Sequence, residues 1–429
     1  MLTQRPNELK PSGVNWLGEV PSHWIVKALK RESPVQRGAS PRPIDDPVYF
    51  DRDGEYGWVR ISDVTTAGTY LEQTEQRLSD LGSSLSVKLQ PGALFLSIAG
   101  TVGKPCITKI KCCIHDGFVY FPKWHGDTKW LFYIFASGEP YQGLGKFGTQ
   151  LNLNTDTVGD IRLAFPPLEE QRAITKYLDQ ETERLDALVT AKERWLELLA
   201  EKRRALITHA VTRGLNPAAP LRDSGFPWLG QVPKHWRVER SKWLFKERDE
   251  RIDNDDGEML TVSHITGVTK RSEKDVNMFE AETTEGYKIC KKGDLAINTL
   301  WAWMGAMGIA PCDGIVSPAY NVYTPGPEMD RGFVEALVRM PTFVQEITRY
   351  STGVWSSRLR LYPEGFFEAW LPVPPLAEQR AIVTHIAAAT AKLDGLRAAA
   401  ERTIALLKER RAALIAAAVT GKIQIPTKK

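Results

Sequence analysis

The sequence predicts an α+β protein built as a tandem repeat, in which two regions of short strands alternate with two long coiled-coil helices. Three observations lead there. Residues 166–212 return at 374–420 without a gap, at a constant offset of 208 (374 minus 166). Residues 12–30, SGVNWLGEVPSHWIVKALK, return at 224–242 as SGFPWLGQVPKHWRVERSK, at an offset of 212 (224 minus 12). Between these copies lie two regions, 31–165 and 243–373, that share little sequence but show the same rhythm of short apolar runs and turn residues. Repeats of this length signal a duplicated structural unit.

Each copy of the longer repeat reads as one helix. Pro166-Pro167 and Pro374-Pro375 suit a first turn, where a missing N–H costs nothing. Glu169, Glu170 and Glu378 place negative charge at the positive end of the helix dipole. Gly214 and Gly421 are stop signals. Between them runs an apolar 3-4 spacing. In the first copy it is Ile174, Leu178, Leu185, Leu188, Trp195, Leu199 and Leu206. In the second it is Ile382, Ile386, Leu393, Leu396, Leu407 and Leu414. That is a heptad seam, for a helix pair or a partner, interrupted by Glu181, Lys192, Lys202 and Arg410. Each helix would extend roughly 65 Å at 1.5 Å per residue. A core helix of one large domain is the competing reading, and occurrence in two matching copies counts against it.

In the first variable region, 57–64, 92–100 and 114–121 read as strands and 128–140 as a helix. In the second, 259–265, 293–298 and 314–323 read as strands. There 330–350 reads as a helix kinked before Pro341. The segment RGLNPAAPLRD, 213–223, reads as an exposed linker. The expected domains are 1–165, the first long helix 166–214, then 215–373, the second long helix 374–423, and a tail 424–429. By repeat symmetry, Trp16, Pro21 and Trp24 should pack near Leu414, Ala418 and Val419. Trp228, Pro233 and Trp236 should likewise pack near Leu206, Ala210 and Val211. The arrangement would then be circular and pseudo-two-fold.

With 429 residues the chain exceeds one compact core. Its 42% hydrophobic and 25% charged residues exclude a disordered or collagen-like class. A net charge of +4 neither requires nor excludes nucleic acid. No run of 18 apolar residues occurs, MLTQRPNELK lacks the apolar core of a signal peptide, and the five cysteines suit a reducing compartment. A cytoplasmic location is expected.

Motifs for chemistry are sparse. GLGKFG, 143–148, has dinucleotide-loop spacing but follows a helix rather than a strand. Cys106, Cys112, Cys113 and His115 lack zinc-knuckle spacing, and no metal site is expected. There is no Walker A sequence, no G-x-S-x-G, no H-E-x-x-H, and no N-P-P-[FY] or D-P-P-Y run. No catalytic residue is assigned. Cationic and amide side chains are more suggestive. Region one offers Arg60, Lys104, Lys146, Thr149, Gln150 and Asn152. Region two offers Lys291, Lys292, Asn298, Ser357, Arg358 and Arg360. Such residues neutralise phosphates or bond base edges, although a solvated charged face explains any single one as well. Trp301 and Trp303 either stack at a DNA interface or cap a core.

Two copies of W-L-G-x-V-P-x-H-W and two of P-P-L-x-E-Q-R-A-I, alternating with variable regions, resemble the specificity subunit of type I restriction-modification enzymes. WVRISDV, PGALFLSIAGTVGK, KKGDLAINTLWAWMGAMG and DGIVSPAY resemble phrases of its target recognition domains. The resemblance covers nearly the whole chain. It implies two target recognition domains held apart by two antiparallel helices, each domain reading one half of a bipartite sequence in double-stranded DNA. It also implies assembly with two modification subunits, which bind S-adenosylmethionine and methylate adenine. Two restriction subunits using ATP and Mg would join optionally. This chain would bind no cofactor and carry no chemistry. Two other readings stay open. A self-sufficient methyltransferase would methylate DNA alone, and a scaffold that binds only protein would leave DNA selection to others.

Overall fold

The computed structural model describes residues 8–142, 144, 153–253, 257–273, 284–353 and 359–425. The chain forms two compact units. The first comprises Met1–Lys192 with Arg402–Lys429, and the second comprises Glu193–Glu401.

The two long helices are Leu168–Arg213 and Leu376–Val419, and each contributes to both units. The proline pairs stand just before the helices. Carbonyl oxygens of Pro167 and Pro375 accept the first amides, from Glu170 and Gln171 and from Glu378 and Gln379. The prolines therefore open the helices from outside the first turn. The stops at Gly214 (φ 73°) and Gly421 (φ 71°) are left-handed, as glycine permits. A Cβ at Gly214 would also strike Glu378 and the Trp236 ring, and one at Gly421 would strike Pro21 and the Trp24 ring.

Within each unit the helix segments run antiparallel. In the first, Ile174 and Gly421 line one cleft, whereas Asp186 pairs with Arg411 at 2.9 Å. In the second, Ile207 and Ile386 line one groove, whereas Arg203 pairs with Asp394. Asp186 and Asp394 are copies at the 208 offset, as are Arg203 and Arg411, so each unit carries the same ion pair.

The heptad pattern is present but shifted in places. Ile174, Leu178, Leu185, Leu199, Ile382 and Leu393 are buried, and Trp195, Leu206, Ile386, Leu407 and Leu414 are half-buried. Leu188, 44% exposed, and its copy Leu396, 38% exposed, leave the seam, which corrects the sequence expectation. A mean repeat of 3.5 residues needs alternating steps of three and four. After Thr182 and Leu185 the next step is four, to half-buried Val189; after Thr390 and Leu393 it falls on exposed Arg397, where the seam is interrupted.

In each unit the Trp-Leu-Gly segment forms a small hairpin, Leu9–Pro11 with Glu19–Pro21 and Leu221–Asp223 with Gln231–Pro233. The strand that follows pairs with the exit of the variable region. Ile25–Ala28 meets Arg162–Phe165, and Arg237–Arg240 meets Trp370–Val373. Each variable region is thus a long insertion between two paired strands. Its main sheet keeps one strand order in both units. In the first unit the order is Gln36–Arg37, Phe118–Tyr120, Leu94–Ser97, Pro105–Thr108, with Tyr70–Leu71 added at the edge. In the second it is Phe245–Glu247, Tyr320–Pro325, Leu295–Asn298, Met307–Ile309.

Several strands are shorter than the sequence suggests. Residues 57–64 divide into strand Tyr56–Val59 and helix Ile61–Thr66, because Asp63 caps the Arg60 amide at 2.8 Å and starts a helical turn. His115 to Gly117 turns between Cys112–Ile114 and Phe118–Tyr120, with Nδ1 of His115 accepting from the Gly117 amide at 2.8 Å. Helix Thr128–Ala136 is capped by Asp127. Residues 330–350 form two helices, Arg331–Val338 and Pro341–Arg349, since Pro341 cannot continue the first.

The apolar cores match the circular expectation. Leu17, Val20 and Trp24 are buried with Ile415, Ala418 and Val419, and Trp16 and Leu414 pack against them. Leu229, Val232 and Trp236 are buried with Ala210 and Val211 in the second unit, and Trp228 packs against them with Ile207 in place of the expected Leu206.

Candidate nucleic-acid interface

In both units the same four residue types tie the Trp-Leu-Gly segment to the long helix and the helix to the variable region. Glu170 accepts from Trp24 Nε1 at 3.1 Å and meets His23 Nε2 at 2.8 Å. Glu378 accepts from Trp236 Nε1 at 3.0 Å and meets His235 Nε2 at 2.9 Å. The neighbouring glutamines turn the other way. Gln171 Oε1 accepts from the Asp127 amide at 2.9 Å, and its Nε2 donates to the Pro166 carbonyl at 3.0 Å. Gln379 Oε1 accepts from the Asp330 amide at 2.8 Å, and its Nε2 donates to the carbonyls of Glu328 and Pro374. The repeated His-Trp and Glu-Gln dipeptides were the available sequence signal for these contacts, but pairing them requires the fold.

What each unit presents beyond this clasp differs. In the first, the loop after Leu94–Ser97 lies against helix Ile61–Thr66. The hydroxyls of Thr65 and Thr101 are 2.9 Å apart, and Lys104 Nζ donates to the Thr65 carbonyl at 2.8 Å. That places a cation at the negative end of the helix. Arg60 sits at the other end, its Nη1 3.2 Å from Glu75. The structure thus brings Arg60 and Lys104 onto one short helix. Lys146, Thr149, Gln150 and Asn152 lie outside the described residues, as do Ser357 and Arg358.

In the second unit the equivalent loop, 299–305, follows Leu295–Asn298. Trp301 is 50% exposed, with its ring 6.2 Å from that of His264. Trp303 is half-buried and donates Nε1 to the Leu300 carbonyl at 3.0 Å. The two tryptophans thus divide, one outward and one partly inward. Asn298 is buried, donating to the Tyr320 hydroxyl at 3.0 Å and accepting from the Leu300 amide. Arg360 stacks over Tyr362 at 5.9 Å, and the Leu361 amide bonds the Thr299 carbonyl at 3.0 Å. Trp301 and Arg360 therefore border one surface. Lys291 and Lys292 are elsewhere. They precede the strand whose far end carries loop 299–305, and Asp313 takes the Lys291 ammonium at 3.2 Å and the Lys292 amide at 2.8 Å.

Cys106, Cys113 and Cys290 are buried, which pushes each thiol up to about 12; burial raises Cys112 to about 11. Among the described residues no cluster of His, Cys, Asp and Glu is arranged to hold a metal ion, and no helix is long and apolar enough to cross a membrane.

Residues 38–197 match the family described as type I restriction modification DNA specificity domain. Over 235 residues the chain is 21% identical to the specificity subunit of the type I restriction enzyme MjaIX of Methanocaldococcus jannaschii, covering 52% of each protein. The match therefore spans about half the length of that relative. Two solved structures share the fold. One is a chain from a study of complex assembly and conformational transition in a type I R-M system. Its TM-score is 0.68 at 14% identity, over 93% of this chain and 98% of that one. The other is the HsdS subunit of Thermoanaerobacter tengcongensis, with TM-score 0.55 at 15% identity, over 94% and 98%.

Proposed function

We propose that the chain belongs to the type I restriction-modification specificity family and is the DNA-recognition subunit of such a system. Each variable region reads one half of a bipartite, asymmetric double-stranded target. The chain itself catalyses nothing and binds no cofactor. Two modification subunits supply S-adenosylmethionine-dependent adenine methylation, and restriction subunits, where present, supply ATP- and Mg-dependent work.

The observation that carries this reading is a duplicated frame with unlike contents. The clasp, the glutamine contacts and the main-sheet order are repeated, whereas the loops over that sheet differ. A frame repeated in one chain imitates a two-fold dimer, and dimeric DNA readers address two half-sites. Unlike loops would address unlike half-sites. The repetition also supports two copies of one partner. Away from the helix starts, each unit leaves a matching pair of described leucines exposed, Leu188 and Leu406 in the first, Leu198 and Leu396 in the second. They are copies at the 208 offset, so one modification subunit can meet the same leucine pair on each unit. Exposed leucines on a helix that are not covered by the chain itself favour a protein partner.

The test is to express the chain with its modification subunits and map methylated adenines across a genome. A split, asymmetric motif is expected. Exchange of residues 31–165 should change one half of it only. An exchange that altered both halves together would overturn the two-reader reading. Methylation by the chain alone would make it an enzyme.

A further inference from the structure

The two units differ in the chemistry of one equivalent surface. In the first, residues 60–66 and 98–104 present hydroxyls and cations: Thr65, Thr101, Lys104 and Arg60. None of the exposed large apolar side chains described in that unit falls in these two segments. In the second, the corresponding segments are 264–266 and 299–305, joined by 359–362 through the Leu361-to-Thr299 hydrogen bond. Here Ile265 is 73% exposed, Trp301 50%, Leu300 44%, Met304 38% and Tyr362 48%. Single exposed apolar residues are ordinary, but a contiguous set marks a contact surface.

Three features identify what covers this surface. It holds no acidic residue: segments 263–266, 299–305 and 359–362 contain no Asp or Glu, yet they include His264 and Arg360. Cations lie at its margins. Arg360 lies over Tyr362 on one side, and from Ile265 a groove leads past Arg339, which pairs with Glu335 at 3.6 Å, to Arg204 of the first long helix. The surface is also held in place. Arg339 donates to the carbonyls of His264 (3.3 Å) and Ile265 (2.7 Å), and Gly305 (φ 90°) closes the turn behind Trp301. A fixed apolar surface with cations at its margins fits a polyanion that exposes apolar groups at a defined spacing. In double-stranded DNA the major groove offers one such group, the 5-methyl of thymine.

We infer that the second unit reads its half-target in part by apolar contact of Trp301 and its neighbours with thymine methyl groups. The first unit reads by hydroxyl and cationic contacts. Arg339 is a positioning residue that fixes segment 264–266 beside Trp301. This rests on the specificity-subunit reading and adds the chemistry of one half-site.

The experiment uses the full chain assembled with its modification subunits and a target mapped by methylation. Exchange of residues 31–165 identifies the half read by the first unit; the unchanged half belongs to the second. Duplexes carrying deoxyuridine for thymine in that half lose only methyl groups. Affinity at fixed salt should fall about fourfold per contacted methyl, the equivalent of about 0.8 kcal/mol. Trp301→Ala should weaken binding to the thymine duplex and abolish the uracil penalty, while leaving the salt dependence unchanged. Met304→Ala should shrink the penalty in part. A half-target without thymine, an unchanged affinity for the uracil duplex, or a penalty that persists in Trp301→Ala would overturn the inference. Absence of any selective methylation by the unaltered complex is a different result, and it would overturn the specificity reading beneath it.

Discussion

Removing the clasp carboxylate is the most direct perturbation of the frame. Glu170 serves two donors of unequal standing. Trp24 is 1% exposed, so without Glu170 its indole N–H would lose its one acceptor among the described residues. A buried donor left without a partner costs about 1–3 kcal/mol. The His23 ring is 57% exposed, and an ion pair of that exposure contributes about 0–1 kcal/mol. Glu170→Ala should therefore lower stability by about 2 kcal/mol. Glu170→Gln keeps an acceptor for Trp24 and should cost about 1 kcal/mol or less. His23→Ala should cost less than about 1 kcal/mol. Urea unfolding followed by circular dichroism measures the order, with an unchanged slope required for comparison. A Trp24→Phe and Glu170→Ala cycle should give a coupling of about 1 kcal/mol. Glu378, Trp236 and His235 should repeat the series. If Glu170→Gln were as damaging as Glu170→Ala, charge pairing with histidine would dominate and the reasoning would fail.

Other expectations concern the helices, the loops and the thiols. Leu185→Ala should destabilise the fold by about 2–5 kcal/mol. Leu188→Asp should leave stability within about 0.5 kcal/mol yet weaken co-purification with the modification subunits; intact assembly would remove Leu188 from the partner surface. Replacing both Lys291 and Lys292 with Ala should leave the salt dependence of DNA binding unchanged, since Asp313 occupies Lys291 and both lie far along the strand from the loops. A flattened slope would place them on phosphate. Iodoacetamide at pH 8 should modify only half-buried Cys312 in the native chain and all five cysteines in denaturant, because burial holds the other thiols protonated. Glu8 and Ile425 line one cleft, so a chain joined end to end and reopened within 215–222 should still fold and direct methylation to the same target. One opened at Leu188, inside a helix, should not.

The long helices were legible because their signals are local: proline before, glycine after, and a 3.5 period between. The period also concealed an error, since Leu188 is a better apolar residue than Val189 but sits one place off the seam. Strand limits were less legible. Val59 and Ile61 look alike in sequence, yet the Asp63 cap turns the second into a helix. The clasp was half legible. The repeats made His23, Trp24 and Glu170 visible, but their union spans 146 residues, and no local preference encodes it. The candidate interface was least legible. Asn298 and Trp301 are three residues apart, and only the tertiary fold turns one inward and the other out.

The glutamine beside each clasp has a consequence for how such a chain can change. Among the described residues, Gln171 and Gln379 bond only main-chain groups of the variable regions and their exits: the amides of Asp127 and Asp330, and the carbonyls of Pro166, Glu328 and Pro374. A main-chain amide or carbonyl is the same whatever side chain it carries. These sockets are therefore blind to sequence and sensitive only to shape. Side-chain contacts such as Tyr133 and Lys129 with Asp179 belong to the first unit, because in the second alanine, Ala387, stands at the copy of Asp179. A foreign insert that ends in the same turn and helix cap would satisfy the glutamine without any matching substitution in the frame. Recombination could then trade one insert for another in a single step, and point mutations inside an insert could accumulate without loosening its mounting.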